Sequence, residues 1–475
     1  MQGFRKGVYI FAGPTLPTAA AKAELNAIYL PPARQGDIYR LVELRAPSVI
    51  GLIDGYFSQV PAVWHKEVLW ALRNGAHVFG AASMGALRAA ELEPFGMRGV
   101  GEVFNAYRTG VLPPYETPFE DDDEFAVVHG PADAGYLAVS EALVNVRVTL
   151  CEAARAGVID SACRDTLVAT AKSAFYADRT WQWLLGPSSP ARIDDVTRAR
   201  LEAWLPDNAI DAKRRDALEM LREVDRFART DPPPFNASFR FEPTSQWCIA
   251  KQGWDAIEEA DGRVLDELRL QPLLYASVWQ AAVARALGIV EQMAGFGESS
   301  AGSSSDSLPR LALGLGAIEE ADAELDESHA DTGRLETLWT REQQARKLER
   351  DAAELQLSVV QRHMLLELKE TGRYGALAER SAAKQAHRQE RLSGSGVTTD
   401  DLAALSDLQT LQLVDWYFTE CLSIEIPDDM DAYLSSLDLD DEDALHRLLF
   451  DEHSFRAAAQ HHVGESAAEY RTGDE

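Results

Sequence analysis

Two rhythms of apolar and polar positions divide this chain. Early on, apolar residues come in short unbroken runs: VYIFA at 8–12, AIYL at 27–30, VIGLI at 49–53 and AHVFG at 76–80. Gly, Pro or Asp punctuates the end of each run, and the segments 18–25, 37–46, 61–73 and 86–92 between and after them carry helical spacing. Strands alternating with helices at this pace predict βαβ units and a parallel sheet. Local signals agree with these bounds. Gly36 and Asp37 offer a helix start, Pro61 opens the next helix and Gly75 stops it.

From Val139 onward the rhythm becomes helix after helix, with apolar spacing of the helical kind across 143–170, 214–226 and 264–290. The run DPPP at 231–234 is a rigid break. Residues 294–309, rich in Gly and Ser, read as a linker, and 335–390 is helical until SGSG at 393–396 interrupts it. A last acidic helical piece ends near His461. The predicted fold class is α/β: an N-terminal Rossmann-like domain with a mostly parallel sheet, then a largely α-helical C-terminal region. The predicted divisions are a core at 1–150, a helical region at 151–293 packed on or extending it, the linker at 294–309, and an acidic helical region at 310–475.

Composition narrows the function classes. At 475 residues the chain is long enough for two or three domains, and 46% hydrophobic residues supply their cores. The formal net charge of -30 repels phosphates and argues against a nucleic-acid partner. The acid is spread along the chain, as expected of a solvated surface. Cys151, Cys163, Cys248 and Cys421 form no C-x-x-C pair and match neither a zinc site nor a small disulfide framework. A reducing cytoplasm is the expected compartment, and the helical spacing of Cys151 and Cys163 reads as core thiols. No secretory h-region follows 1–6. The longest apolar stretch, 273–290, carries Gln280 and Arg285 and reads as a buried helix rather than a membrane span.

Candidate chemistry gathers where strands end, because open parallel sheets bind ligands beyond the carboxyl ends of their strands. That rule selects the loops Gly13-Pro14-Thr15, Asp54-Gly55-Tyr56 and Ala81-Ala82-Ser83-Met84-Gly85. Ser83 has two readings. It is a nucleophile at a strand-to-helix turn resembling the G-x-S-x-G elbow, with following amides as oxyanion donors, or it is an ordinary helix N-cap. His65 is either its general base, oriented by Asp54 or Glu67, or an idle helix histidine. Arg88 and Glu91, at i and i+3, read as a surface pair. The acidic run 121–124 is either a Mg²⁺ site completed by a phosphate, or a solvated loop or helix N-terminal charge cluster. His129 beside these acids is too thin for a metal site, and none is predicted. The chain holds no Walker loop, no G-x-G-x-x-G and no H-E-x-x-H, so nucleotide binding is not predicted.

Taken in order, the motifs resemble a TfuA core domain. They are GPT at 13–15, DGYF at 54–57, VWHKEVLWAL at 63–72, GAASMGALRAAEL at 80–92, FGMRGVGEVF at 95–104, DDDEFAVVHGP at 121–131 and EALVNVRVTL at 141–150. The resemblance spans about 7–150 and leaves the helical remainder unmatched. It implies a role beside a YcaO enzyme, which activates a peptide amide with ATP and Mg²⁺ before a backbone thioamide forms in a ribosomal peptide. TfuA-like proteins supply or recruit the sulfur, as from a thiocarboxylated ThiS-like carrier. No cofactor is then expected on this chain. Partners would be the YcaO enzyme, the carrier or another sulfide donor, and the precursor peptide.

Joined to the loops, the resemblance implies an acyl-transfer site: Ser83, His65 and Asp54 catalytic, with Gly13, Thr15, Gly55, Tyr56, Met84, Gly85 and Arg88 binding substrate. A non-catalytic adaptor that recruits the donor or the peptide is the competing reading. A serine esterase of ordinary metabolism is a third, weakened by the imperfect elbow.

Overall fold

The computed structural model describes residues 7–56, 60–130, 136–286, 357–395 and 407–472. It splits into two compact units, Met1–Asp255 and Ala256–Glu475. The predicted linker 294–309 and the first part of the predicted helix 335–390 lie outside the described residues.

In the first unit the apolar runs form strands β1 (Val8–Phe11), β2 (Ile28–Leu30), β3 (Val49–Leu52) and β4 (His77–Ala81), each within a residue or two of its predicted bounds. A fifth, β5 (Arg98–Val100), comes from RGV, too short and too polar to stand out by periodicity. All pair in parallel in the order β2-β1-β3-β4-β5. In this doubly wound order the chain reverses direction between β1 and β3, the place past the strand ends where sheets of this kind form a ligand crevice.

Helices α1 (Thr18–Glu24), α2 (Asp37–Arg45), α3 (His65–Arg73), α4 (Met84–Leu92) and α5 (Glu102–Thr109) connect and flank the strands. The expected start of α3 at Pro61 is corrected to His65. Pro61 instead gives its carbonyl to Gln35 N, and the Glu67 carboxylate accepts from Trp64 N at 3.0 Å at the helix start. Further helices follow at α6 (Leu143–Arg155), α7 (Ser161–Ser173), α8 (Trp181–Leu185), α9 (Asp195–Asn208), α10 (Ala212–Ala228) and α11 (Ser245–Asp255).

Helix α10 belongs to the core of the sheet. Ala217, Met220, Leu221 and Val224, at i, i+3, i+4 and i+7, pack with Ile10, Val49 and Phe79. The sheet's core therefore draws on residues well past 150. Its direction is set at both ends. Asp216 accepts from Val103 N at 2.7 Å just beyond β5, and the Phe227 ring lies 4.7 Å from that of His77 at the start of β4. The N-terminus of α10 thus sits at the carboxyl edge of the sheet, the edge that carries the crevice.

The second unit is helical among its described residues. Glu259–Arg269, Pro272–Ala286, Leu357–Glu370 and Tyr374–Ser395 enclose a core of Val264, Leu268, Tyr275, Met364 and Leu368. The last helix runs from Glu442 to Thr472, past the end expected near His461. No helix among the described residues is long and apolar enough to cross a membrane.

Candidate functional site at the switch point

The crevice floor is held by Asp54, 2% exposed at the end of β3. Its Oδ2 accepts from Gly13 N at 2.8 Å and Thr15 N at 3.1 Å, and its Oδ1 accepts from the Thr15 hydroxyl at 2.5 Å. Three donors on one carboxylate tie the loop after β1 to the loop after β3. The structure thus brings Gly13, Thr15 and Asp54 together. Asp54 is spent on that clamp and does not orient His65.

The β4–α4 turn forms the opposite wall. Ser83 N donates to Ala81 O at 2.8 Å across Ala82, whose φ is +70°. This γ-turn carries an alanine in the left-handed region, at a cost of about 1–3 kcal/mol. Such strain persists where surrounding packing imposes it. Gly85 supplies that packing: a Cβ there would lie 1.7 Å from Leu52 O, so only glycine lets α4 approach β3 this closely. Gly80 answers it across the turn, since its Cβ would meet Gly85 O at 2.1 Å. Gly55 sits against the Met84 side chain in the same way.

Most hydrogen-bonding groups of this turn are satisfied. Gly85 N donates to Ile53 O at 3.2 Å, and Ala86 N and Leu87 N donate to Ser83 O. The predicted row of Ser83, Met84 and Gly85 amide donors therefore shrinks to one, because the Ser83 and Gly85 amides are taken. Two groups remain unspent. The Ser83 hydroxyl makes no capping bond and no hydrogen bond to any described residue, so the N-cap reading has no bond behind it. The Met84 N–H likewise finds no acceptor among the described residues. Ser83 is 5% and Met84 2% exposed, and the Ser83 hydroxyl is not among the fully enclosed side-chain atoms that lack a partner, so its oxygen keeps access to solvent. Met84 is also the residue after Ser83, the position whose amide serves the oxyanion in a nucleophile elbow.

His65 does not join them. Its Nε2 lies 2.8 Å from Glu91 Oε2, which also accepts from Arg88 Nη1 at 2.7 Å. Arg88 Nε donates to Val63 O at 3.1 Å, so Arg88 serves this surface group rather than the crevice. Burial pushes the Glu91 carboxyl up, but the His65 hydrogen bond and the Arg88 charge together hold it below its ordinary value. Glu91 stands eight residues along α4 from Ser83, about 12 Å at 1.5 Å per residue. Glu67, the other proposed orienter, is fully buried. It accepts from Gly36 N at 2.8 Å, Trp64 N at 3.0 Å and Tyr39 N at 3.4 Å, joining the starts of α2 and α3. Burial outweighs these donors and raises its carboxyl to about 7.

Tyr56 extends the crevice outward. It shares a hydrogen bond with Tyr136, and burial pushes its hydroxyl up against that bond. The His129 ring lies 6.4 Å from the Tyr56 ring and 5.5 Å from the Tyr136 ring.

The acidic run is a short helical turn, Asp122–Glu124, whose first acids face solvent while its last ones are paired. Glu124, fully buried, takes a two-point grip from Arg147, Nε to Oε2 at 2.9 Å and Nη2 to Oε1 at 2.8 Å. Asp123 accepts from Arg179 at 2.8 Å and Asp121 from Lys172 at 2.7 Å. Their partners lie 23 to 56 residues away, a pairing that local charge counting misses. Among the described residues no three His, Cys, Asp or Glu side chains converge as a metal ion would need. Cys151 and Cys163 are only partly buried, not core thiols.

Lys213 is the residue that the sequence reading passed over. It occupies the sheet-facing stripe of α10, one turn before Ala217, and is 3% exposed. A charged residue in register with an apolar stripe was the available signal. A separate cleft of about 560 Å³, lined by Glu141, Trp181, Glu202 and Asp211 among others, lies among α6, α8 and α9. It includes none of the strand-end loops.

No curated protein matches the chain. The family model described as TfuA-like protein matches residues 54–180. That span opens at the Asp54 clamp, contains the Ser83 turn and closes on the Arg179 ion pair. The chain therefore carries a TfuA-like domain over these residues.

Proposed function

We propose that this TfuA-like protein works beside a YcaO enzyme in peptide backbone thioamidation, supplying sulfide by hydrolysing a thiocarboxylated ThiS-like carrier. The supporting observation is the pair of unspent groups, the Ser83 hydroxyl and the Met84 amide, at the carboxyl edge of a doubly wound sheet. Together they suit an acyl oxygen that gains negative charge as a nucleophile attacks. In the overall step a water oxygen bonds to the acyl carbon, the C–S bond breaks, and a carboxylate and hydrogen sulfide leave. ATP and Mg²⁺ belong to the YcaO partner in this reading, and the precursor peptide is that enzyme's substrate.

One observation favours the alternative, a non-catalytic adaptor that recruits the sulfur donor or the precursor peptide. No described side chain accepts from Ser83, so a base for covalent attack is not in place, and the pair would then hold the terminus without cleaving it.

Sulfide release from the thiocarboxylated carrier separates the two. The hydrolase reading expects release by the parent, a loss of about 10²-fold in Ser83→Ala, and little change in His65→Ala. No release from the parent, while a YcaO partner still co-purifies, leaves the adaptor.

A further inference from the structure

An anionic chain terminus entering this crevice meets a difficulty: Asp54, an anion, already forms its floor. A compensating cation is needed close by, and it must not be one that the solvent screens. Lys213 has that placement. Its stripe on α10 faces the sheet, α10 begins at the carboxyl edge, and Lys213 lies one turn closer to that edge than Ala217. The ammonium donates to Phe125 O at 2.9 Å and makes no ion pair among the described residues. Asp211 caps α10 through Arg214 N at 2.9 Å and accepts from Asn145 at 3.0 Å, so it is engaged elsewhere.

We propose that Lys213 is a positioning residue of the switch-point site: its buried positive charge offsets Asp54, so that the Ser83–Met84 corner admits an acyl carboxylate or thiocarboxylate terminus. This rests on reading the crevice as the site for that terminus. A buried ammonium without an ion pair is costly, and such groups concentrate at functional sites. Burial lowers the proton affinity of Lys213, and the charges of Asp54 and then Asp211 oppose that lowering without cancelling it. The structural alternative is that Lys213 merely pins the loop at Phe125, a job for a hydrogen bond rather than a charge.

The test is binding of a ThiS-like carrier to the full chain, with the carrier ending in a carboxylate or in a neutral amide. Lys213→Gln keeps a donor for Phe125 and removes the charge. The expected result is about tenfold weaker binding of the carboxylate form, with the amide form unmoved. Asp54→Asn combined with Lys213→Gln is expected to recover most of the loss, and Lys213→Arg to retain binding. Should Lys213→Gln fail to fold, the parent and Lys213→Arg are compared with Lys213→Met in the Asp54→Asn background, where no uncompensated charge remains. Equal binding of the carboxylate form by the parent and Lys213→Gln, or no recovery in the double variant, overturns the proposal. A parent that does not distinguish carboxylate from amide overturns the crevice reading itself, and this inference with it.

Discussion

Two regions of the first unit are both rich in polar side chains, yet they handle them oppositely. In the run 121–124 three acids have found bases: Glu124 with Arg147, Asp123 with Arg179, Asp121 with Lys172. Around the β1/β3 switch point a carboxylate is spent on fixing two loops, while a hydroxyl and an amide on the facing turn are left with nothing to do. In the reading proposed above, the site lies where donors on a strained, closely packed turn lack partners, not where charge is densest.

The largest break in that comparison should come from the satisfied region. Arg147→Met leaves the fully buried Glu124 with only Lys172, 3.6 Å away, as a counter-charge, and a loss of about 3 kcal/mol in unfolding free energy is expected. Chemical denaturation measures it. A loss near zero would mean that the pair is solvated and that the contrast is false.

Gly85→Ala attacks the other side. Its Cβ would sit 1.7 Å from a backbone oxygen that cannot rotate away, so α4 must lift from β3. A cost of about 1–3 kcal/mol is expected, together with a loss of carrier binding out of proportion to the loss of stability.

Glu67 offers a pH handle of comparable or smaller size. Its folded value near 7 lies above the ordinary 4.5, so the folded state holds a proton that the unfolded state releases. Its contribution is complete below about 4.5 and is lost as pH rises through 7, a swing on the order of 1–3 kcal/mol. Melting temperature followed from pH 5 to 8 should fall in the parent, and the slope should flatten in Glu67→Gln. A parent that grows more stable over that range would contradict this.

The smallest effect belongs to His65→Ala. His65 is half-exposed and pairs with Glu91 at the surface, so stability should change by about 0.5 kcal/mol or less. Sulfide release should hardly move. A collapse of activity would return His65 to the site and require a rearrangement of α3.

Much of this was legible in the sequence, because a buried parallel strand and an amphipathic helix each leave a period. The four apolar runs became strands, and the three loops picked by the strand-end rule do lie at the carboxyl edge. Partnerships were not legible. His65 is eighteen residues from Ser83 in the chain, yet its bond goes to Glu91, and no spacing rule foretells that. Arg147 and Arg179 found the acidic run across helices whose packing a single sequence does not encode in any period. The α3 start moved from Pro61 to His65 because a distant carbonyl contact to Gln35 N outweighed local propensity. Lys213 stands in register with an apolar stripe that the sequence shows, but that the stripe faces the sheet is seen only in the fold.

The central claim is that the Ser83–Met84 corner is left open for a ligand. With seven methionines in the chain, selective ¹⁵N-methionine labelling gives a spectrum sparse enough to follow the Met84 amide, assigned by Met84→Leu. On adding the carboxylate-terminated carrier, the account predicts a downfield shift and slowed exchange of that amide, lost in Ser83→Ala. A Met84 signal that stays put at saturating carrier, while the carrier still binds, would place the site elsewhere on the molecule.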